Sequence, residues 1–227
     1  MSTTNRAPSG EREFITGVSG DESPRRGLAP GLGGVRLTPA EFDAIDYEDC
    51  EPGFRYELIQ GVVTVNPAPG LSHNSPNQFL GNLLFLYQTT HPQGKLLDAT
   101  EYEVYVRVSS GRRLADRVLW IGLGRPVRQK RDVPTIIVEF VSPSRRDWLR
   151  DYVEKRDDYL AVGVKEYWVI DRFRRKMTVF RPTGSSEMET TIPESDKYQT
   201  PLLPGFELKL ADLLAYADRW NDADEED

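Results

Sequence analysis

The chain has 227 residues, with 29 Lys and Arg against 36 Asp and Glu, which gives a formal net charge of −7. This length suits one ordinary domain, and 38% hydrophobic residues exclude a wholly disordered chain. Cys50 is the single cysteine, and His73 and His91 are the two histidines. The sequence therefore excludes an internal disulfide, a cysteine-based zinc site and a histidine-rich metal centre.

Hydropathy predicts a protein without a membrane anchor. No run of 18 apolar residues occurs, which excludes a membrane-spanning helix. The N-terminal residues also lack the apolar segment of a secretory signal. We therefore expect a soluble, cytoplasmic protein with no membrane partner.

Charge is unevenly distributed along the chain. Residues 107–181 hold 19 Lys and Arg against 10 Asp and Glu, a balance of +9, and the remainder carries −16. A basic central region suits a polyanionic partner, because Lys and Arg that neutralise phosphates release counterions. Arginines dispersed over a soluble surface explain the same count equally well, so charge alone does not decide.

Composition divides the chain into three parts. Residues 1–35 are rich in Ser, Gly, Pro, Arg and Glu without periodicity, which predicts a disordered N-terminal tail. Residues 36–218 carry regular patterns without an internal repeat, which predicts a single domain. Residues 219–227 form a predicted acidic C-terminal tail.

The first patterned segments predict a helix, a hairpin and a second, longer helix. Thr38 is a good N-cap, and Glu41 follows three residues later as in a capping box. Two β-branched and aromatic runs then meet at Gln60 and Gly61, the pattern of a β-hairpin. Residues 72–90 place large apolar side chains at helical spacing.

The second half of the domain alternates between strands and helices. Strands are predicted at 101–108 and 113–121, and the apolar run 134–142 is typical of a strand covered on both faces. A polar stretch, 145–160, is predicted as a helix that ends before Gly163. Strand, helix and strand in succession predict a crossover unit in a mixed sheet, so the fold class is α/β with α+β character.

Three carboxylates interrupt runs that otherwise suit buried strands. Glu139 lies within the run 134–142, Asp116 lies in the preceding strand, and Glu57 comes just before the hairpin turn. An ionised carboxylate in such a place is costly unless it is paired or binds a metal. An edge or solvent-facing position, or an ion pair with a neighbouring arginine, would also explain each of them.

Two cations are predicted on the inner face of the helix that follows. Projection from Trp148 in steps of about 100° per residue places Lys155 beside Tyr152 and Tyr159 on one aromatic face. Arg156 also points into this apolar arc. Snorkelling stems explain such positions; the alternative is that both cations face a cluster of acids or a bound phosphate.

These residues together suggest a hydrolytic metal site, with Glu57, Asp116 and Glu139 on strands and Lys155 on a helix. Oxygen ligands without cysteine or clustered histidine suit a hard cation such as Mg²⁺ or Mn²⁺. Such a metal polarises a phosphodiester and lowers the pKa of a bound water. A neighbouring lysine orients that water or stabilises charge at the phosphorus.

Motifs in a fixed order through residues 37–214 resemble a known superfamily. They are LTPAEF at 37–42, RYELIQG at 55–61, Ser72-His73, Ala115-Asp116, VEFVSPS at 138–144, EKRDDY at 154–159, GVKEYW at 163–168 and PLLPGF at 201–206. The combination resembles the PD-(D/E)XK nucleases and, more narrowly, the Uma-two family of restriction-endonuclease-like proteins. The resemblance implies a restriction-endonuclease-like core, with a mixed central sheet flanked by helices.

The resemblance also implies a set of site residues. Asp116 and Glu139 would hold the divalent metal, with the Phe140 carbonyl as a further ligand. The lysine of the superfamily motif usually stands two residues after the second acid, which is Val141 here. In families of this kind the lysine is placed on the following helix, which points to Lys155.

Other positions match the pattern less closely or have no role assigned by it. Glu57 matches the superfamily's additional acid, and the role of His73 stays open. Ala115 stands where proline is usual. Arg117 and Arg156 stand where apolar residues are common, and they would either contact phosphate or form ion pairs.

The favoured hypothesis is a Mg²⁺-dependent or Mn²⁺-dependent endonuclease that hydrolyses phosphodiester bonds of DNA. A nuclease that cuts both strands would often act as a homodimer. The alternative is a catalytically degenerate module of the same fold that binds nucleic acid or a protein partner. In a third hypothesis, the acids and arginines simply pair within the core.

Overall fold

The computed structural model describes residues 27–142, 149–183 and 186–220. Strands in these ranges are β1 (Phe54–Ile59), β2 (Val62–Pro67), β3 (Leu97–Val108), β4 (Gly111–Ile121), β5 (Ile136–Phe140), β6 (Glu166–Asp171), β7 (Lys176–Thr183), β8 (Ser186–Pro193), β9 (Lys197–Gln199) and β10 (Glu207–Lys209). Helices are α1 (Pro39–Asp43), α2 (Leu71–Thr90), α3 (Lys155–Ala161) and α4 (Leu210–Asp218). Within the described ranges, no helix is long and apolar enough to span a membrane.

One mixed sheet organises the described domain. Its strand order is β2-β1-β4-β5-β6-β7-β8, and β3 also pairs with β4. β5 and β6 run parallel, and α3 lies in the connection between them, whereas the other neighbouring pairs are antiparallel. The predicted crossover unit and the mixed α/β class are therefore confirmed. β9 and β10 form a separate two-stranded sheet.

β5 is buried on both faces, as its apolar run predicts. Val138 and Phe140 belong to the core formed with α2 and α4, while Ile137 and Val141 belong to the core formed with α3. Successive side chains of a strand alternate between faces. Glu139 therefore points to the α3 side of the sheet, and only 2% of its surface is exposed.

The local predictions for the N-terminal half are confirmed. Thr38 caps α1 in a reciprocal capping box with Glu41. The hairpin of β1 and β2 turns at Gln60 and Gly61, whose φ angles are 50° and 75°. Two consecutive positive φ angles give a two-residue turn whose twist matches that of the flanking strands.

The domain extends further towards the N-terminus than predicted. Leu28 is buried in a core that also includes residues of α1, β1 and β2. The Gly34 N–H donates to the Val63 carbonyl of β2 at 2.8 Å. Apolar burial and backbone pairing thus hold residues 27–35 on the domain, so this part of the predicted tail belongs to it. Residues 1–26 and 221–227 of the two predicted tails lie outside the described residues.

The described part of the helix predicted at 145–160 contains an irregular turn. Arg150–Glu154 is π-helical and leads directly into α3. Trp148, from which the helix was projected, lies outside the described residues. A π-helical turn shifts the phase of a regular projection, but Lys155 and Tyr159 are both buried, as the projection predicted.

Gly111, at the turn from β3 into β4, is expected to be sensitive to substitution. Its φ is 149°, and a Cβ would lie 1.9 Å from the Leu58 carbonyl oxygen. We expect Gly111→Ala to lower the free energy of unfolding by about 2–4 kcal/mol, because strain and overlap combine. Gly122→Ala is the matched control, since Gly122 has a φ of 76° and an added Cβ would meet no atom within 4 Å. Equal losses for the two variants in urea titration would contradict the overlap argument.

Candidate active site

The site lies where the central sheet forks. β3 pairs along the length of β4 on one edge. On the other edge, β1 pairs with Gly111 and Arg112, and β5 pairs with Arg117, Val118 and Leu119. Residues 113–116 have no strand partner on that edge within the described sheet, so β1 and β5 diverge there and open a cleft.

Side chains replace the missing ladder bonds at the fork. Glu57 Oε1 accepts from the Leu114 N–H at 2.9 Å, and Lys155 Nζ donates to the Leu114 carbonyl at 3.2 Å. Asp116 Oδ2 accepts from the Phe140 N–H at 2.8 Å. Buried backbone polar groups need partners, so the fold itself fixes the positions of these three side chains.

Asp116 is surrounded by positive and donor groups. Its Oδ1 lies 3.0 Å from Arg55 Nη1, and its Oδ2 lies 3.1 Å from His73 Nε2. Arg55 also pairs with Glu103. Burial alone would raise the pKa of Asp116, but the neighbouring His73, Arg55 and Lys155 hold it well below its usual range. These neighbours favour the ionised form of Asp116.

Glu139 lies opposite Asp116 across the cleft and has a different electrostatic environment. Its Oε2 is 2.8 Å from Lys155 Nζ, and its Oε1 accepts from the Tyr159 hydroxyl at 2.9 Å. Burial raises the pKa of Glu139 well above its usual range, against the attraction of Lys155, and the anions Asp116 and Asp151 raise it further. Burial alone would lower the pKa of Lys155, but Glu139 and other nearby carboxylates raise it.

A cavity of about 440 Å³ opens at the fork and reaches all four predicted residues. Its charged and ring-bearing lining comprises Arg55, Glu57, His73, Asp116, Glu139, Phe140, Arg150, Lys155 and Arg172. Three acids and four arginine or lysine side chains thus face one opening. A cationic lining around buried acids suits a substrate that carries negative charge.

The two arginines predicted to contact phosphate do not line this cavity. Arg117 is buried on the α2 side, where its guanidinium donates to the side chain and the carbonyl of Asn77. Arg156 pairs with Asp157 and lies over the Phe180 ring, 5.5 Å from its centroid. Successive residues of a strand face opposite sides of the sheet, so Arg117 lies on the opposite face from Asp116. The position of Arg156 on α3 directs its side chain away from the fork.

Sequence patterns missed several residues of the site. Arg55 and His73 lie in motifs that resemble the family, but neither was assigned a role. Arg150 and Arg172 lie in polar segments with no pattern that distinguishes them from other arginines. Asp151, which is 1% exposed, lies in the π-helical turn beside Lys155.

The donor chemistry at the fork suits a hard divalent cation. Asp116, Glu139 and Glu57 offer carboxylate oxygens to the same cavity. Burial is the main cause of the raised pKa of Glu139, and a cation would offset the smaller contribution from the neighbouring carboxylates. The acids are not yet gathered into a ligand set: in the part of the chain that the structure describes, no group of three His, Cys, Asp or Glu side chains is close enough to hold an ion. The carboxylate donors suit a divalent cation in kind, whereas their present spacing does not form a ligand set.

Comparison with known proteins assigns the chain to a family. A family model, Uma2, described as "Putative restriction endonuclease", matches residues 39–211. The chain belongs to the Uma2 family. The match includes the fork, α3 and the strands that carry the acids. The predicted resemblance to the Uma-two family is therefore confirmed.

A solved structure has the same overall fold. It is described as a "putative nuclease belonging to DUF820" from Anabaena variabilis ATCC 29413. The superposition has a TM-score of 0.60 at 17% sequence identity and covers 80% of the Uma2 chain and 99% of the other chain. No curated protein matches the chain.

Proposed function

We propose that this Uma2 protein is a metal-dependent endonuclease that hydrolyses phosphodiester bonds of DNA in the cytoplasm. The observation that supports it best is the fork, where Glu57, Asp116, Glu139 and Lys155 converge on one cavity. These are the residue types that a PD-(D/E)XK site requires, and the family description agrees with nuclease chemistry.

Each residue has a role that its contacts support. Asp116 and Glu139, with the Phe140 carbonyl, would hold Mg²⁺ or Mn²⁺, and Glu57 would assist. The bound ion would polarise the phosphodiester and lower the pKa of a water. Lys155 would orient that water by hydrogen bonding and stabilise charge at the phosphorus.

The cations at the cavity explain how DNA would reach these acids. Arg55, Arg150 and Arg172 line the opening, and their charges would offset the repulsion between a phosphate and the carboxylates. Two copies acting together would cut both strands, so a homodimer is the assembly that we propose for double-strand cleavage.

Metal binding and cleavage of supercoiled plasmid test the proposal together. We expect wild type to bind Mn²⁺ in calorimetric titration and to nick plasmid, and we expect Asp116→Asn and Glu139→Gln to lose both properties. Losing one ligand from such a site typically abolishes activity, because the nucleophile and the leaving group are no longer stabilised.

Asp157→Asn is the matched control, since the Asp157 side chain is 62% exposed on α3 and pairs with Arg156. Circular dichroism establishes that all three variants are folded. Nicking by Asp116→Asn at the wild-type rate would disprove the assignment of the site.

A second candidate function is a catalytically degenerate module that binds nucleic acid or a protein. Both oxygens of Glu139 are occupied, by Lys155 and by Tyr159, and Val141 replaces the usual lysine of the motif. Such a module would bind nucleic acid with the same dependence on salt in the presence and absence of a chelator, and it would not nick plasmid.

A further inference from the structure

Asp151 is a buried acid that the proposed reaction does not use. It lies in the π-helical turn Arg150–Glu154 and is 1% exposed. Its Oδ1 accepts from Arg150 Nε at 3.2 Å and lies 3.9 Å from Lys155 Nζ. Its Oδ2 is buried and has no hydrogen-bond partner among the described residues. A buried carboxylate oxygen without a partner is costly, so its retention needs a reason.

Lys155 lies between two carboxylates at unequal distances. It contacts Glu139 at 2.8 Å and Asp151 at 3.9 Å. Asp151 precedes Lys155 by four residues, and the π-helical turn leaves its Oδ1 3.9 Å from the ammonium. A movement of the ammonium by about one ångström, within the side-chain rotamers, would bring it into hydrogen-bond distance of Asp151.

Glu139 cannot serve a metal in its present arrangement. A divalent cation on its Oε2 would stand next to an ammonium, and like charges at such a distance repel strongly in a buried site. Lys155 would have to leave Glu139, but a buried ammonium needs another counter-charge. Glu57 is a poor substitute, because it accepts from the Leu114 N–H and belongs to the proposed ligand set.

We propose that Asp151 is the alternative partner of Lys155, which passes from Glu139 to Asp151 when Glu139 takes a divalent cation. The proposal rests on the proposed function, since it supplies the rearrangement that this function requires. Asp151 is a positioning residue in this scheme: it draws the lysine away from the ligand oxygen and holds it beside the cavity. The ammonium approaches Asp151 from the side of Oδ1, the carboxylate oxygen that already lies 3.9 Å from it.

Calorimetric titration with Mn²⁺ tests the exchange without relying on cleavage. We expect Asp151→Asn to bind Mn²⁺ about 10–100-fold more weakly than wild type, the range for residues that orient metal ligands. Lys155→Met should bind at least as tightly as wild type, because the competing ammonium is gone. The double variant should have the same Mn²⁺ affinity as Lys155→Met, since Asp151 acts only by pairing with the lysine.

Each outcome bears on the proposal. An Asp151→Asn variant that binds Mn²⁺ like wild type would overturn it, as would a double variant as weak as Asp151→Asn, which would make Asp151 a ligand instead. Absence of Mn²⁺ binding by wild type would overturn the proposed function as well, so the two failures are distinguishable. Asp157→Asn serves as the exposed control on the same helix, and circular dichroism verifies folding.

Discussion

Replacing Lys155 with Met is expected to reduce plasmid nicking by roughly 10²–10⁴-fold, the usual contribution of a positioned proton-transfer or charge-stabilising group. Metal binding should persist, because Lys155 is not a proposed ligand. The experiment measures initial nicking rates at saturating Mn²⁺, with calorimetry on the same preparations. A variant that loses cleavage but still binds metal would show that Lys155 acts in the chemical step and is not needed only for the structure.

The variant should remain folded for an electrostatic reason. Removing Lys155 leaves Glu139 buried without its cation, which would be costly if the carboxylate stayed ionised. Burial raises the pKa of Glu139, and the neighbouring Asp116 and Asp151 raise it further, so the neutral carboxyl limits this cost in the metal-free variant, and Mn²⁺ displaces its proton on binding. Lys165→Met, at an exposed position before β6, is the control. Cleavage by Lys155→Met within tenfold of wild type would remove Lys155 from the mechanism.

Sequence patterns predicted the parts of the site that lie on regular elements. Glu139 stands out because the apolar run around it has the length and composition of a buried strand. Lys155 follows from helical spacing, since one face of α3 packs on the sheet. In both cases the local pattern determines which side of the element a residue faces, and the neighbouring element determines what it contacts.

The fork could not be predicted in the same way. It depends on β1 and β5 sharing one edge of β4 and separating at residues 113–116. Strand pairing over such sequence distances leaves no local periodicity, so the patterns could not select Arg55 over Arg117 as the cation beside Asp116. The π-helical turn also has no sequence signature, which is why Asp151 did not stand out.

Glu166 shows that a buried acid in a strand need not belong to a catalytic site. It is 1% exposed and begins β6, next to β5 in the sheet. Its oxygens accept from Trp168 Nε1, Arg181 Nε, the Tyr198 hydroxyl and Thr200 Oγ1, at 2.8–3.0 Å. Every partner is a donor on the opposite side of the sheet from α3, and the network contains no second acid. A local sequence pattern cannot distinguish this acid from Glu139.

Glu166→Ala is therefore expected to destabilise the fold while leaving the chemistry intact. Four donors lose their acceptor, one of them the Arg181 guanidinium, and breaking such a buried network typically costs about 3–5 kcal/mol. Urea titration should show this loss, with Glu189→Ala at an exposed position of β8 as the control. At temperatures where the variant is folded, Mn²⁺ affinity and nicking rate should equal those of wild type, because Glu166 does not line the cavity. A stable variant, or a folded one that fails to bind Mn²⁺, would contradict the division between a structural acid at Glu166 and the proposed metal-binding acids at the fork.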